Sequence, residues 1–193
     1  MKYLLISTAF AATVLAPSAA FAQQPPAPLI LVVDSNRAAN DCNACKTAAA
    51  SLRSQATAFE TRRTTLNNQL GPERQSIQTA VNALQGKAPD AALQARIKAF
   101  DTKAQAAEQE LATTQQRLQS INLNILRQIK EKLDPAVKAV MTQRGANLVV
   151  DEANTLDHTP ALDATAAVIA QLNSLLPTIS VTPLPQQAQP QGR

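Results

Sequence analysis

Between residues 52 and 125 the apolar positions recur in alternating steps of three and four, twice over, in mirror image about the turn Gly86-Lys87-Ala88-Pro89-Asp90. Backward from the turn the repeat runs through Leu84, Ala80, Ile77, Glu73, Leu70, Leu66, Arg63, Phe59, Ala56 and Leu52. Forward from it the repeat runs through Leu93, Ile97, Phe100, Ala104, Ala107, Leu111, Thr114, Leu118, Ile121 and Ile125. Such spacing is the heptad seam of a coiled coil. Facing positions add to about 177, so an antiparallel hairpin sets Leu84 by Leu93, Leu66 by Leu111 and Phe59 by Leu118. At ~1.5 Å per residue the hairpin is an arm of roughly 50 Å, with no room for a globular core along it. An arm of that length is suited to reaching, holding or spacing something.

The flanking pattern is different. Leu29-Ile30-Leu31-Val32-Val33 is a continuous apolar, β-branched run ending at Asp34, and predicts a buried strand. A short helix or turn follows over 35–41, then two long helices over 43–85 and 90–144. Gly71-Pro72 predicts a kink or break in the first, because proline lacks a backbone donor and crowds the preceding turn. Asp134-Pro135 predicts a second interruption, with Asp134 as a cap for a new segment. Beyond it Leu133, Val137, Val140 and Met141 should face the strands. Gly145 ends the helix. Residues 147–151 (Asn-Leu-Val-Val-Asp) predict a second strand and Thr155-Leu156 a third. A terminal helix over 163–173 should bury Ala166, Val168, Ile169 and Leu172.

The predicted fold class is therefore α+β, mostly α: a long antiparallel helical hairpin, the coiled-coil arm, on a small β base that oligomerises. The arm occupies residues 43–144 and the base residues 29–42 and 145–176. So small a sheet does not easily stabilise itself, and oligomerisation is the simplest cover for its apolar strands. Residues 177–193 hold four Pro and four Gln and predict a disordered tail.

Residues 1–22 predict a secretory signal, cleaved after Ala22. Met1-Lys2 is a short positive start, the run from Leu4 to Leu15 is mostly apolar, and Ala20-Phe21-Ala22 is a small-x-small cleavage site. The apolar run falls short of the ~20 residues of a membrane span. Residues 23–28 are a Pro/Gln linker. The remaining chain has no Trp, few Gly and many Ala and Gln, which suits long helices with a thin seam. Fifteen Lys and Arg stand against eight Asp and Glu over residues 46–144, whereas the rest of the mature chain is acidic. A basic arm on an acidic base speaks to partners. A sequence pI near 9.3 ordinarily suggests nucleic acid, but an exported protein meets little of it. Acidic polypeptides and acidic lipid surfaces fit better.

The order of signal, strand, basic hairpin and Leu148-Val149-Val150-Asp151 strand, followed by a helix opening Asp163-Ala164-Thr165-Ala166-Ala167-Val168, resembles the Skp (OmpH-like) family of periplasmic chaperones for outer-membrane proteins. The resemblance covers roughly residues 29–174. It implies a homotrimer whose strands form a small central barrel, with three arms around a cavity that holds an unfolded outer-membrane protein without ATP. Lipopolysaccharide or acidic lipid are further candidate partners. The cysteine pair and the Gln/Pro-rich extension depart from the best-known members.

Candidate chemistry is sparse. The basic residues Arg53, Arg62, Arg63, Arg74, Lys87, Arg96, Lys98, Lys103 and Arg117 are each explained singly by a solvated helix face. Summed over three arms they would concentrate acidic, unfolded clients. Arg63 and Glu73 fall on the seam, where polar residues weaken packing, so the middle of the arm should flex. Cys42-Asn43-Ala44-Cys45 is a C-x-x-C at a helix start, a redox spacing. It lacks the preceding βαβ pattern, and Lys46 stands where haem attachment needs His. A structural disulfide, local or between subunits, is preferred over inert thiols and over redox catalysis. Two thiols and the single His158 make no zinc site and no catalytic triad, and nothing resembles a Walker loop. No catalytic, metal or cofactor-binding residue is expected. The rival reading is a coiled-coil spacer or adaptor docking a fixed envelope partner.

Overall fold

The structure, a computed structural model, describes residues 27–184. The proposed signal, the first residues of the linker and the end of the tail lie outside them. In chain order the elements are β1 (Ile30–Val33), α1 (Ser35–Asp41), α2 (Asn43–Ala83), α3 (Ala91–Gln143), β2 (Leu148–Asp151) and α4 (Thr165–Leu175). β1 and β2 pair in parallel, Ile30 opposite Leu148 and Val33 opposite Asp151. Parallel neighbours need a crossover. Here the crossover is the entire arm, with α2 running out and α3 running back.

The seam is where the spacing puts it, with two exceptions. Leu66, Ala107, Ile121 and Ile125 are buried, and the other positions of both repeats are half-buried except Ala56 and Arg63, which are exposed. Arg63 turns along its own helix to Glu60, 2.8 Å away, because an unpaired guanidinium in the seam would lose its hydration. Near the base the seam of α2 passes through Gln55 in place of Ala56. Glu73 does stand in the seam, 27% exposed, and Lys103 from α3 holds it at 3.0 Å.

Neither proline breaks its helix. α2 is continuous through Gly71-Pro72 and α3 through Asp134-Pro135, so Asp134 caps nothing. Each proline removes one i to i−4 hydrogen bond. The carbonyls so freed belong to Asn68 and Glu131, both exposed residues whose backbone water can reach. Packing holds α3 on its course past Pro135, since Ala136 and Val140 are buried. Leu133, Val137 and Met141 lie half-buried against the same core, facing the strands. α3 then stops at Gly145, whose φ of +64° suits glycine, with Ala146 N–H donating to the Met141 carbonyl at 2.9 Å.

The core sits at the arm's root. Ile121, Ile125, Ile129 and Val140 of α3 meet Leu31 and Val33 of β1, Ala38 of α1, Ala44 and Ala48 of α2, and Val168 and Leu172 of α4. The expected third strand at Thr155-Leu156 is absent; a short 3-10 turn covers Glu152–Asn154 and Leu156 projects into solvent. β1 instead gains a single parallel bridge between Val32 and Asp163. Ala166 is exposed and Thr165 buried in its place, because α4 begins at Thr165 and its inner face is set by Val168 and Leu172.

Thr165 explains the Asp-x-Thr opening of α4. Asp163 accepts the Thr165 N–H at 2.8 Å, and the Thr165 hydroxyl oxygen accepts the Asp34 N–H at 2.9 Å. Hydrogen bonding from the Thr165 side chain, then from its N–H, holds the Asp163 carboxyl below the usual aspartate value. The clasp bolts α4 to the end of β1, while Asp34 itself caps α1 by accepting the Arg37 N–H at 2.8 Å. Thr165→Val keeps the side-chain shape and orphans the Asp34 N–H. It should lower unfolding stability by about 1–3 kcal/mol, read as a shifted denaturant midpoint with an unchanged slope.

Candidate functional site

The arm carries the candidate basic residues, and the structure sorts them into two groups. The first group ties α2 to α3. Arg62 makes a two-pronged ion pair with Glu110, at 2.7 and 2.9 Å. Its hydrogen bonds and charge raise the Arg62 pKa and lower that of Glu110. Lys103 holds Glu73, Arg96 donates to the Ser76 hydroxyl at 2.7 Å, and Arg74 stacks 5.8 Å from the centre of the Phe100 ring. Arg63 bonds within α2. The four that cross the arm, Arg62, Arg74, Arg96 and Lys103, favour one register of the hairpin.

The second group is Arg53, Lys87, Lys98 and Arg117. Among the described residues none has a carboxylate within ion-pair distance. They do not form one cluster. Arg117 shares a shallow depression with Phe59, Arg62, Leu111 and Leu118, so a cation there lies beside partly exposed seam side chains. Lys87 lies by the tip with Leu84, Leu93 and Arg96. Arg53 faces outward along α2, and Lys98 lies exposed on α3.

Cys42 and Cys45 form an intrachain disulfide. Both are buried, at 0% and 3% exposure, inside the core at the arm's root. Cys42 is also the N-cap of α2, its sulfur accepting the Cys45 N–H at 3.0 Å. A disulfide sealed in this way from solvent is a staple at the α1–α2 junction, not an accessible redox centre. His158 is no free loop residue: its side chain is 17% exposed and lies 3.5 Å from Glu152. Its hydrogen bond with the Thr159 carbonyl, then Glu152, raises its pKa. No group of three or more potential metal ligands occurs among the described residues.

Two features escaped the sequence reading. Leu123 and Leu126 of α3 are 57% and 53% exposed, a large apolar surface near the root of the arm. Ser120, Asn124 and Gln128 form a polar stripe at i, i+4 and i+8 that carries the start of the tail. The stripe was visible as a spacing beside Ile121, Ile125 and Ile129, but no spacing says what a polar stripe holds.

The family model for outer membrane protein (OmpH-like) matches residues 30–172. The chain belongs to the OmpH-like family. Among solved structures, a candidate outer membrane chaperone (OmpH-like) from Caulobacter crescentus CB15 superposes with a TM-score of 0.68 at 20% identity, covering 85% of this chain and 96% of that one. That likeness shows the fold. Comparison with curated proteins gives no match at comparable significance. No helix among the described residues is long and apolar enough to cross a membrane.

Two measurements check this account of the OmpH-like base. Cys42→Ala/Cys45→Ala should cost about 2 kcal/mol, the loop-closure value for so short a ring, read by denaturant unfolding. His158 contributes fully below the ordinary histidine pKa of about 6.5, and its contribution is lost as pH rises through the higher folded value. His158→Gln should therefore lower the melting temperature at about pH 5.5 and leave it nearly unchanged at about pH 8.5.

Proposed function

We propose that this chain is an ATP-independent periplasmic holdase, exported by a signal cleaved after Ala22, that binds unfolded outer-membrane β-barrel proteins in a cavity between the basic arms of a homotrimer. One observation carries the reading: a helical arm, 41 residues long in α2, presents Arg53, Lys87, Lys98 and Arg117 along its length with no carboxylate in reach among the described residues. Many separated weak contacts suit a client without fixed structure. A cation beside exposed apolar seam, as at Arg117, suits an amphipathic acidic chain. Arg62, Arg74, Arg96 and Lys103 are then mainly positioning residues, which keep the arm aligned while adding to its field, and Arg63, paired within α2, adds to the field alone.

Trimerisation is supported by what the base leaves open. Ile30 and Leu148 on the two-stranded sheet, with Leu29 just before β1, are 36%, 49% and 41% exposed, a surface that other copies could cover. The unpaired cations also fit acidic lipid or lipopolysaccharide as secondary partners. The continuity of α2 through Pro72 favours the second reading, a stiff spacer docking a fixed envelope partner. The absence of one concentrated docking cluster along the arm favours the first.

Light scattering decides between them. A urea-denatured outer-membrane β-barrel protein, diluted into buffer, should aggregate less with this protein at about one trimer per client. Protection should weaken as salt shortens the screening length from about 10 Å at 0.1 M toward about 3 Å at 1 M. Replacing Arg53, Lys87, Lys98 and Arg117 together by Ser should reduce protection at low salt. No suppression at any ratio by folded protein overturns the holdase reading in favour of the spacer.

A further inference from the structure

The beginning of the Pro/Gln-rich tail is ordered, against the expectation of disorder from residue 177. Residues 177–184 lie along the arm's root in the groove between α2 and α3. Ile179, Val181 and Pro183 are half-buried, and Thr178, Ser180 and Thr182 are exposed. The alternation has the period of two of extended chain, although the segment forms no strand and its backbone bends at Thr182.

The groove reads the backbone of this segment. The Gln128 side-chain amide accepts the Ser180 N–H at 2.9 Å and donates to the Ser180 carbonyl at 3.0 Å. The Asn124 amide donates to the Thr182 carbonyl at 2.9 Å, and the Ser120 hydroxyl oxygen accepts the Leu184 N–H at 2.9 Å. The spacing has a simple basis. Two residues of extended chain advance about 6.6 Å, and four residues of helix about 6 Å, so a polar stripe at i, i+4 and i+8 meets every second residue of a strand. None of these bonds depends on what side chain the bound residue carries. Shape comes from the other wall, where Ala44, Thr47, Ala48 and Ser51 of α2 leave room for Ile179 and Val181. Asn124 is 6% exposed, so its amide needs the partner that the strand supplies.

We propose that this groove is a binding site for extended polypeptide with apolar side chains at alternate positions, the pattern of a transmembrane β-strand, and that residues 178–184 occupy it in cis until such a segment displaces them. The proposal deepens the holdase reading and rests on it for the source of the peptide: strands of an unfolded outer-membrane barrel alternate apolar and polar side chains. A tethered segment competes at a millimolar effective concentration, so the groove should stay closed to a single weak peptide. A client held by the arms gains its own effective concentration and exchanges with the tail.

The test uses the full mature chain and a fluorescein-labelled ten-residue peptide of alternating Val and Thr. A second peptide of the same composition has its Val residues in one block. Ile179→Asp/Val181→Asp should empty the groove and raise affinity for the alternating peptide at least tenfold by fluorescence anisotropy, with little gain for the blocked one. Adding Gln128→Ala should remove most of that gain. Ser180→Pro, which deletes one donor to Gln128, should give a smaller gain in the same direction and serves if the double variant loses its helical circular dichroism. Equal binding of the alternating peptide by the parent and a folded variant, or equal gains for both peptides, overturns the proposal. If the alternating peptide gains nothing while aggregation of a barrel client is still suppressed, the groove proposal falls and the holdase stands. If the peptide gains as expected while no client is protected, the groove is a peptide site and the holdase reading falls.

Discussion

Two strands of four residues lying parallel cannot be joined by a turn, and the rest of the molecule follows from that constraint. The chain leaves β1, travels the length of α2, returns through α3 and enters β2 beside its starting point. A crossover so long can keep the strands in register only if both of its ends are fixed. At the start, Asp34 caps α1 and the Cys42–Cys45 disulfide staples the entry to α2. At the end, Gly145 stops α3, and Leu29 receives Asn147 through a 2.9 Å backbone hydrogen bond. The Asp163–Thr165–Asp34 clasp then locks α4 over the same junction. Rigidity is thereby concentrated in the base, and the arm is left to project.

Along the arm the division of labour is electrostatic. A thin seam of Ala, Leu and Ile supplies limited burial, so cross-arm pairs such as Arg62–Glu110 and Glu73–Lys103 set the alignment. Exposed ion pairs are weak in energy, but a two-pronged contact selects one register among several that a repetitive seam would allow. Glu60, Glu73, Glu110 and Glu131 of the arm are engaged in ion pairs, and Arg53, Lys87, Lys98 and Arg117 are among the cations with no carboxylate in reach among the described residues. Where the arm meets the base the seam widens over Ala44 and Ala48, and the ordered start of the tail fills the opening. The proposed holding function and the proposed strand site therefore occupy different heights of one structure, broad and charged above, narrow and backbone-reading below.

Much of this was legible in the residues themselves. Helix length, the antiparallel pairing about Gly86, both strands and the final helix are local or periodic properties, carried by patterns that a helix or a strand can satisfy in only one way. The motif around Asp163 and Thr165 carries the resemblance to the OmpH-like family. The failures are equally specific. Pro72 and Pro135 were read by local rules as interruptions, yet each costs one hydrogen bond in a helix of 41 or 53 residues held by its neighbours. Spacing alone puts Arg63 and Ala56 on the seam, but spacing does not say which way a guanidinium finds water. Composition alone marks the segment after residue 176 as unable to pack, whereas residues 177–184 lie against the arm's root.

The sequence by itself determined the arm, the mirror register of its two helices, the apolar strands of the base and the excess of positive charge, because each is written in the spacing or identity of neighbouring residues. Tertiary structure decided which cations stay unpaired, how the disulfide is sealed, and that residues 177–184 lie in a groove. Those depend on partners 48 residues apart at Arg62–Glu110, 52 at Gln128–Ser180 and 131 at Asp34–Thr165. No local pattern encodes such distances. They are fixed only when the crossover closes and the two helices, the strands and the returning tail compete for the same space.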